Sequence, residues 1–560
     1  MFPFDVEKNK GSSDSIHSIH VSEIHTDVRS DSIIGAPEEE ESPLGQHVGK
    51  FTVVALNFSQ MIGTGIFVTP GSILKGVGSI GASLMLWLLG IIISFSGFAV
   101  YTEFASMYPK RAGADVAYLE KAFPKPKYLM PVVFAVISVL LSYSASNAIV
   151  FSQYVLVAAN REVTEWTQRG IAIAAIGGVC LLSWVSNKWS MRLQNVIAYV
   201  KVIILFFVAI TGLVVLGGHT RVKNPKGHFK DPFKGTTGNA NVWANALVKI
   251  IFSFAGWNNA NNVLNEIPDA VRTVKIYGSV ALGLVSVLYM LCAVAYFAAV
   301  SKEEIKHSNL LTAALFFKNV FGDSAGQRVL PALVAVSSIG NLLAVTIGHS
   351  RIVREVGRQG VLPWPSFWTN TWPFGTPGGA LLVKFILTVI VIVAPPPGDA
   401  FNFVVDLQSY PSNIFLCLLV VGLFLVRRRR QKAGLGRAPF RAYTVVAIFY
   451  FLVSLFLLAA PWVPPPGGAN GGDVSFWYAT YCVVGIGIIL VCGLYYYIWA
   501  VVWPKFGGFE HVEEIITLPD GSTFTKINRV KKDVTPPQSD ESEEDIEEAK
   551  GARILEREVY

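Results

Sequence analysis

Gly63, Thr64 and Gly65 stand in the middle of an apolar stretch, residues 50–74, that is long enough to cross a bilayer. Each glycine weakens a helix interior by about 1 kcal/mol relative to alanine, and backbone left unpaired in hydrocarbon is costlier still. A helix interrupted there must bond something. The freed N–H groups, at the positive end of a second half-helix, can hold an anionic group near the membrane midplane. The other reading is a close glycine contact between helices of the small-xxx-small kind. A second interruption follows at Ser253, Phe254 and Gly256-Trp257, continued by Asn258, Asn259, Asn261 and Asn262. A third unusual feature is Lys201, a lone charge inside the apolar run 193–217, too far from either end to snorkel easily. A lysine at bilayer depth costs about 2.5 to 3.5 kcal/mol on insertion scales and marks a functional position by default.

The elements that must position these residues are membrane spans. The chain of 560 residues is 52% hydrophobic and 15% charged, with a mean hydropathy of +0.47, outside the soluble globular range. Twelve apolar runs are sufficient to span roughly 30 Å of hydrocarbon. They lie near residues 50–74, 81–108, 128–158, 170–186, 193–217, 243–264, 274–300, 329–350, 379–394, 400–426, 442–460 and 476–502. The expected fold is an all-α polytopic membrane protein. Cys180, Cys292, Cys417, Cys482 and Cys492 all fall inside the runs, with no disulfide or metal-ligand spacing. No metal, cofactor or nucleic-acid partner is expected; Arg427 to Arg430 abut a span and read as an orientation signal, not a nucleic-acid patch.

Lys and Arg concentrate after spans 2, 8 and 10, which places those loops and, with an even span count, both termini in the cytosol. The basic loop 218–242 runs against this assignment. No cleavable signal peptide is read at the start, so span 1 acts as the insertion signal. The expected organisation is a disordered cytosolic N-terminal tail (1–48), a core of spans 1–10 (49–426), spans 11 and 12 with the preceding basic loop (427–503), and an acidic cytosolic C-terminal tail (504–560). Glu38 to Glu41 and Ser539 to Glu548 carry the acidic tail character. Lys8 and Lys10 could serve ubiquitin ligases, although a plain solvating tail explains them too. Spans 1 and 6, each interrupted, are five apart, and broken helices at corresponding positions of two halves point to an inverted repeat with its site at the repeat interface.

At these residues the chain resembles the amino acid-polyamine-organocation transporters, L-type amino acid transporter branch. The carriers are Ile62-Gly63-Thr64-Gly65-Ile66-Phe67 with Pro70, Tyr101-Thr102-Glu103-Phe104, Phe252 to Asn258, and Glu266-Ile267-Pro268-Asp269. The run Tyr108 to Glu120, with Ala145-Ser146-Asn147, is more similar to fungal high-affinity methionine permeases than to animal exchangers. The resemblance implies a five-plus-five inverted repeat with discontinuous helices 1 and 6 and two extra helices. It implies that a substrate carboxylate sits on the amides of Gly63, Thr64 and Gly65, and its ammonium on carbonyls around Ile62, Phe252, Ser253 and Phe254. Phe252 would cover the bound amino acid, or else is a packing aromatic, and Trp257 would wall the side-chain pocket behind Gly256. By the same resemblance Lys201 reaches the span 1 break in place of the sodium ion of sodium-driven relatives. It then either participates in proton coupling or locks span 1 to span 5.

Other polar residues leave two readings each. Ser144 and Asn147 in span 3, and Ser337, Ser338 and Asn341 in span 8, could line the pocket or bond across helices. Glu103 and Glu266 are expected to pair with basic loop residues, Lys110 or Arg272, at an inner gate. Asp406 is intramembrane with no assigned partner, and His349 reads as a satisfied interfacial histidine. A membrane transferase would need His, Asp, Glu or Cys clustered at membrane depth, which the chain lacks. The function expected is therefore a secondary permease of the plasma membrane importing methionine or other large neutral amino acids, proton-coupled and sodium-independent. A sodium-independent exchanger of broader specificity is the alternative.

Overall fold

A computed structural model describes residues 36–39, 42–222, 224–307, 312–324, 328–393, 399–464, 468 and 477–531, with backbone only at 240–241, 399–406 and 408–409. The first span is split, as its glycines require. Helix α1 (Lys50–Met61) stops, three residues leave helical geometry, and α2 (Gly65–Val77) resumes at an angle of 41°. Gly78 ends α2 with φ +82°, and a Cβ there would meet the Gly235 carbonyl oxygen at 2.2 Å, so only glycine turns this corner. Span 2 is α3 (Ile80–Met107), N-capped by the Ser79 hydroxyl, which accepts from the Ala82 amide at 3.4 Å. A short helix α4 (Asp115–Ala122) follows.

Span 3 is also interrupted, between α5 (Leu129–Leu140) and α6 (Ala145–Ala158). Spans 4 and 5 are α7 (Glu165–Val185) and α8 (Asn187–Leu216), joined at Ser186, whose hydroxyl caps α8. Span 6 is α9 (Ala240–Phe254), then an irregular turn, then a 3₁₀ segment Asn259–Glu266. Span 7 runs from α10 (Ala270–Thr273) through a π turn into α11 (Ser279–Ala299). Short helices α12 (Lys302–His307) and α13 (Thr312–Phe321) precede span 8, α14 (Leu330–Arg358). Then come α15 (Pro365–Thr369), α16 (Gly378–Val393), α17 (Asp399–Lys432), α18 (Thr444–Ala459), α19 (Thr480–Tyr497) and α20 (Trp503–Gly507).

Among the described residues nine helices are long and apolar enough to cross a membrane, ten with the bent α1–α2 pair. The expected count of twelve is not reached by that measure. The shortfall lies at span 6, whose helical part has 15 residues, and at α16, which has 16. Side-chain burial orders the bundle: α14 is buried over 72% of its apolar window and the last span over 17%. Helix α1 packs on α8, α11 and α14, and α2 packs on α9. On α8, Val200 and Ile203 are exposed while Lys201 between them is buried. That is the reverse of a soluble helix and the pattern of one with hydrocarbon outside and polar function inside.

The described parts of the two terminal segments, 36–39 and 42–48 at one end and 504–531 at the other, pack on the bundle. The C-terminal segment forms an antiparallel hairpin, β1 (Phe509–Thr517) with β2 (Thr523–Lys531), turning at Gly521 with φ +80°. Its alternation of Val512, Glu514 and Ile516 with Glu513 and Ile515 hides a strand signal under an acidic composition. Glu39, expected in a solvated tail, is buried between Arg354 (2.7 Å) and Arg358 (3.3 Å) at the end of α14. There Arg111 pairs with Glu120 at 3.0 Å and Glu355 at 2.6 Å, Arg358 with Glu355 at 2.7 Å, and Arg354 donates to Ser522 of the hairpin turn at 3.2 Å. One end of the bundle is thus closed by a buried ionic network that includes both tails. Asp406, Lys8, Lys10 and Ser539 to Glu548 lie outside the residues whose side chains are described.

Candidate substrate site

At the first break the donors and acceptors have opposite fates. The Gly63 amide turns back to the Met61 carbonyl at 2.9 Å, and Phe67 is the first amide of α2 to find a backbone acceptor, Thr64 O at 3.1 Å. The amides of Thr64, Gly65 and Ile66 between them meet no acceptor among the described residues. The open amides therefore lie one residue on from Gly63-Thr64-Gly65, the set expected to hold a carboxylate. Thr64 is half-buried, with its hydroxyl close to those amides in sequence.

The carbonyls of this break are filled by the protein. Lys201 Nζ donates to Ser59 O at 2.7 Å and Ile62 O at 2.6 Å. The Ser337 hydroxyl reaches Ile62 O and Gly63 O, each at 3.0 Å, Asn341 Nδ2 donates to Gln60 O, and Tyr289 donates from its hydroxyl to Met61 O at 2.7 Å. Ile62, expected to receive a substrate ammonium, has its carbonyl occupied by the ammonium of Lys201. Ser337 and Asn341 bond across helices to span 1, and Ser338 closes on its own helix at Val334 O (2.8 Å).

The second break lies directly against the first. A Cβ on Gly65 would sit 2.9 Å from Ser253 Oγ and 3.0 Å from Ser253 Cα, so the glycine is what lets the two backbones touch. Ser253 Oγ is held by Thr69 Oγ1 at 2.9 Å and donates to Lys249 O at 2.9 Å. Of the carbonyls expected to face substrate, Phe252 O accepts from Ala255 at 3.1 Å and Ser253 O from Tyr289 at 3.2 Å. Phe254 O and Ala255 O meet no donor among the described residues. Gly256 has φ +112°, and a Cβ there would clash with Gln60 Cγ at 2.4 Å. Beyond it Trp257 is buried, edge-on to Tyr101 with centroids 5.0 Å apart. Phe252, the expected lid, is 54% exposed.

Free amides on one strand of the gap and free carbonyls on the other suit a small molecule carrying one negative and one positive group. An amino acid permease family profile matches residues 48–491, four-fifths of the chain. This chain belongs to the amino acid permease family. It is 37% identical to the high-affinity methionine permease of Saccharomyces cerevisiae over 492 residues, 87% of this chain and 85% of that one. It is 29% identical to the low-affinity methionine permease of the same yeast over 87% of this chain and 88% of that one. The b(0,+)-type amino acid transporter 1 of Mus musculus is 27% identical over 90% of this chain and 96% of its own length. The family is one of transporters and not of enzymes.

Other site expectations on this permease need correction. Glu103 pairs with Arg427, Nε to Oε1 at 2.8 Å, and not with Lys110. Glu266 pairs with Arg351 at 2.8 Å, bridged by Asn187, and not with Arg272. His349 is not a satisfied histidine: its Nδ1 is buried without a partner among the described residues. Ser144 accepts from Lys384 Nζ at 2.6 Å, and its own amide donates to Thr388 at 3.1 Å. Asn147, one turn on, is half-buried and makes no hydrogen bond among the described residues. Lys384 also donates to Ser142 O at 2.7 Å, stitching the break in span 3 as Lys201 stitches that in span 1. A lone lysine in Leu381-Leu382-Val383-Lys384-Phe385 carries the same signal as Lys201, so sequence alone was sufficient to find it. Tyr289, which joins the two breaks, had no such signal beyond a polar tip in an apolar run.

Proposed function

We propose that this permease imports methionine, or another large neutral amino acid, across the plasma membrane by alternating access, coupled to protons and independent of sodium. The observation that carries the reading is the polarity of the paired breaks. The free amides of Thr64, Gly65 and Ile66 at the start of α2 take the substrate carboxylate, with the Thr64 hydroxyl as a further donor. Phe254 O and Ala255 O take the ammonium, and no buried carboxylate is needed. Phe252, exposed in this state, closes over the bound amino acid, and Trp257 walls its side chain. The names of the two yeast relatives support methionine.

Sodium independence is supported by Lys201, whose ammonium holds Ser59 O and Ile62 O, carbonyls that a cation at this break would use. A desolvated lysine exchanges protons readily, which makes Lys201 the candidate for proton coupling. The ion-paired end that carries both tails is the cytosolic one, since the basic loops after spans 2, 8 and 10 gather there. The acidic tails then face the cytosol, where Lys8 and Lys10 are within reach of ubiquitin ligases. Labelled methionine uptake into liposomes holding the purified chain tests the reading. Uptake should rise with an inward proton gradient and ignore sodium. Uptake that ignores the gradient and needs amino acid inside makes the protein an exchanger, and no uptake of any large neutral amino acid refutes the proposal.

A further inference from the structure

Below the span 6 break lies a carboxyl group that the substrate site does not use. Asp115 opens α4 and is partly buried, with no lysine or arginine paired to it among the described residues. Among the described residues its one hydrogen bond is from the Tyr101 hydroxyl of α3. Burial pushes the Asp115 carboxyl up to about 6, against the opposing pull of that hydrogen bond. The titratable groups that face it are Tyr101 from α3, Tyr118 from its own helix and Tyr450 from α18. All three are neutral phenols at physiological pH. The Tyr118 hydroxyl is buried with no partner of its own among the described residues.

Tyr101 also touches the substrate site. Its ring meets Trp257 edge-on at 5.0 Å and Tyr118 at 6.0 Å, while Trp257 meets Tyr450 at 6.4 Å. Trp257 has little freedom to move alone. A Cβ on Gly97 would fall 2.7 Å from both the Trp257 and Tyr450 rings, so α3 presses on the same pair. The hydroxyl that binds Asp115 thus belongs to the ring that fixes the tryptophan at the end of the span 6 break. A hydrogen bond to an ionised carboxylate is roughly twice as strong as one between neutral groups.

We propose that Asp115 is a proton-binding site which, through Tyr101, sets the position of Trp257 and so the rate at which the inner side of the substrate site opens. Ionised Asp115 holds the Tyr101 hydroxyl and keeps the tryptophan packed. A proton on Asp115 weakens that hold and lets the span 6 turn move. This site is distinct from Lys201, which lies at the span 1 break, and it requires only the transport reading given above, not net proton coupling.

The test is exchange of labelled for unlabelled methionine in liposomes, with equal pH on both sides, from pH 5 to 8. Equal pH removes any driving force, so the assay reads gating alone. The wild-type rate should rise at least threefold toward acid with a midpoint near 6. Asp115→Asn, a neutral mimic of the protonated state, and Tyr101→Phe, which lacks the hydroxyl, should each exchange at the acid-side rate throughout. A flat wild-type profile overturns the proposal, as does a midpoint that survives in either variant, or loss of exchange at every pH in both variants although the chains insert. Wild-type exchange that titrates while uptake ignores a proton gradient removes the coupling assigned to Lys201 and leaves Asp115 standing. Absence of methionine exchange under every condition refutes the transport reading itself.

Discussion

Replacing Lys201 with Met separates stability from transport. The ammonium makes two short bonds, to Ser59 O at 2.7 Å and Ile62 O at 2.6 Å. Hydrogen bonds to a charged group contribute about 1.5 to 3 kcal/mol each, so about 3 to 6 kcal/mol is lost with the side-chain nitrogen. Against this, holding a lysine at membrane depth costs about 2.5 to 3.5 kcal/mol, which the methionine recovers. The net destabilisation is then about 0 to 3 kcal/mol, and Ile62 O keeps the Ser337 hydroxyl at 3.0 Å. The local effect is larger than the global one, because Ser59 O has no other donor among the described residues and the loop that orients the Thr64, Gly65 and Ile66 amides is freed on one side. A disordering of that loop by about 1.4 kcal/mol reduces competent sites tenfold. Thermal unfolding in detergent should therefore shift modestly, while methionine uptake falls at least tenfold and its response to a proton gradient disappears. Uptake within twofold of wild type, with the gradient response kept, would refute both the locking and the coupling role.

Three further outcomes follow from the same geometry. Gly65→Ala drives a methyl to within 3.0 Å of the Ser253 backbone, which cannot yield as a side-chain tip can, so uptake should be lost with the chain still inserted; a KM and rate like wild type would show that the breaks need not touch. Tyr289→Phe removes the donor shared by Met61 O and Ser253 O and should cost about 1 to 3 kcal/mol of stability, read as a lowered unfolding midpoint with reduced uptake. Glu39→Ala leaves Arg354 and Arg358 without their shared carboxylate, a loss on the order of 3 to 5 kcal/mol for a buried pair, so the purified protein should unfold at a distinctly lower temperature; an unchanged midpoint would show the N-terminal segment to be dispensable.

How much of this was legible depended on whether a residue announced its own anomaly. Glycines and asparagines inside apolar runs did so, and both breaks lie where those residues fall. Lys201 announced its depth as a lone charge in an apolar run, whereas its target, the span 1 break where it meets Ser59 O and Ile62 O, is implied by the family resemblance and not by the residues themselves. The break in span 3 carries no local signal: Leu141-Ser142-Tyr143-Ser144 holds no glycine or proline, and what stabilises it is Lys384, 240 residues away from Ser144 in the chain. Pairings over long separations were mostly misread for the same reason. Glu103 has Lys110 close in sequence yet bonds Arg427, since α3 and α17 bring those ends together and sequence proximity says nothing of the helix packing. The C-terminal hairpin was hidden because glutamates stand on both faces of β1, Glu510 and Glu514 on one and Glu513 on the other, which blurs the alternation and gives the segment the composition of a solvated tail.

The arrangement of satisfied and unsatisfied groups also limits what the site can select. At the first break the side chains of α8, α11 and α14 occupy the carbonyls and leave the amides open, so on the proposed reading this half takes the negative group. Among the described residues the span 6 turn leaves the carbonyls of Phe254 and Ala255 open, which on the proposed reading take the donor. The two are held at fixed separation by the Gly65–Ser253 contact and the Tyr289 bridge. On the proposed reading a ligand carries both a carboxylate and an ammonium, and a molecule with either group alone reaches half of the site. Backbone recognition of that kind is indifferent to the side chain. An apolar pocket distinguishes one methylene by only about 1 to 3 kcal/mol, so on the proposed reading preference among large neutral amino acids comes from the volume beside Trp257 and from how far Phe252 closes.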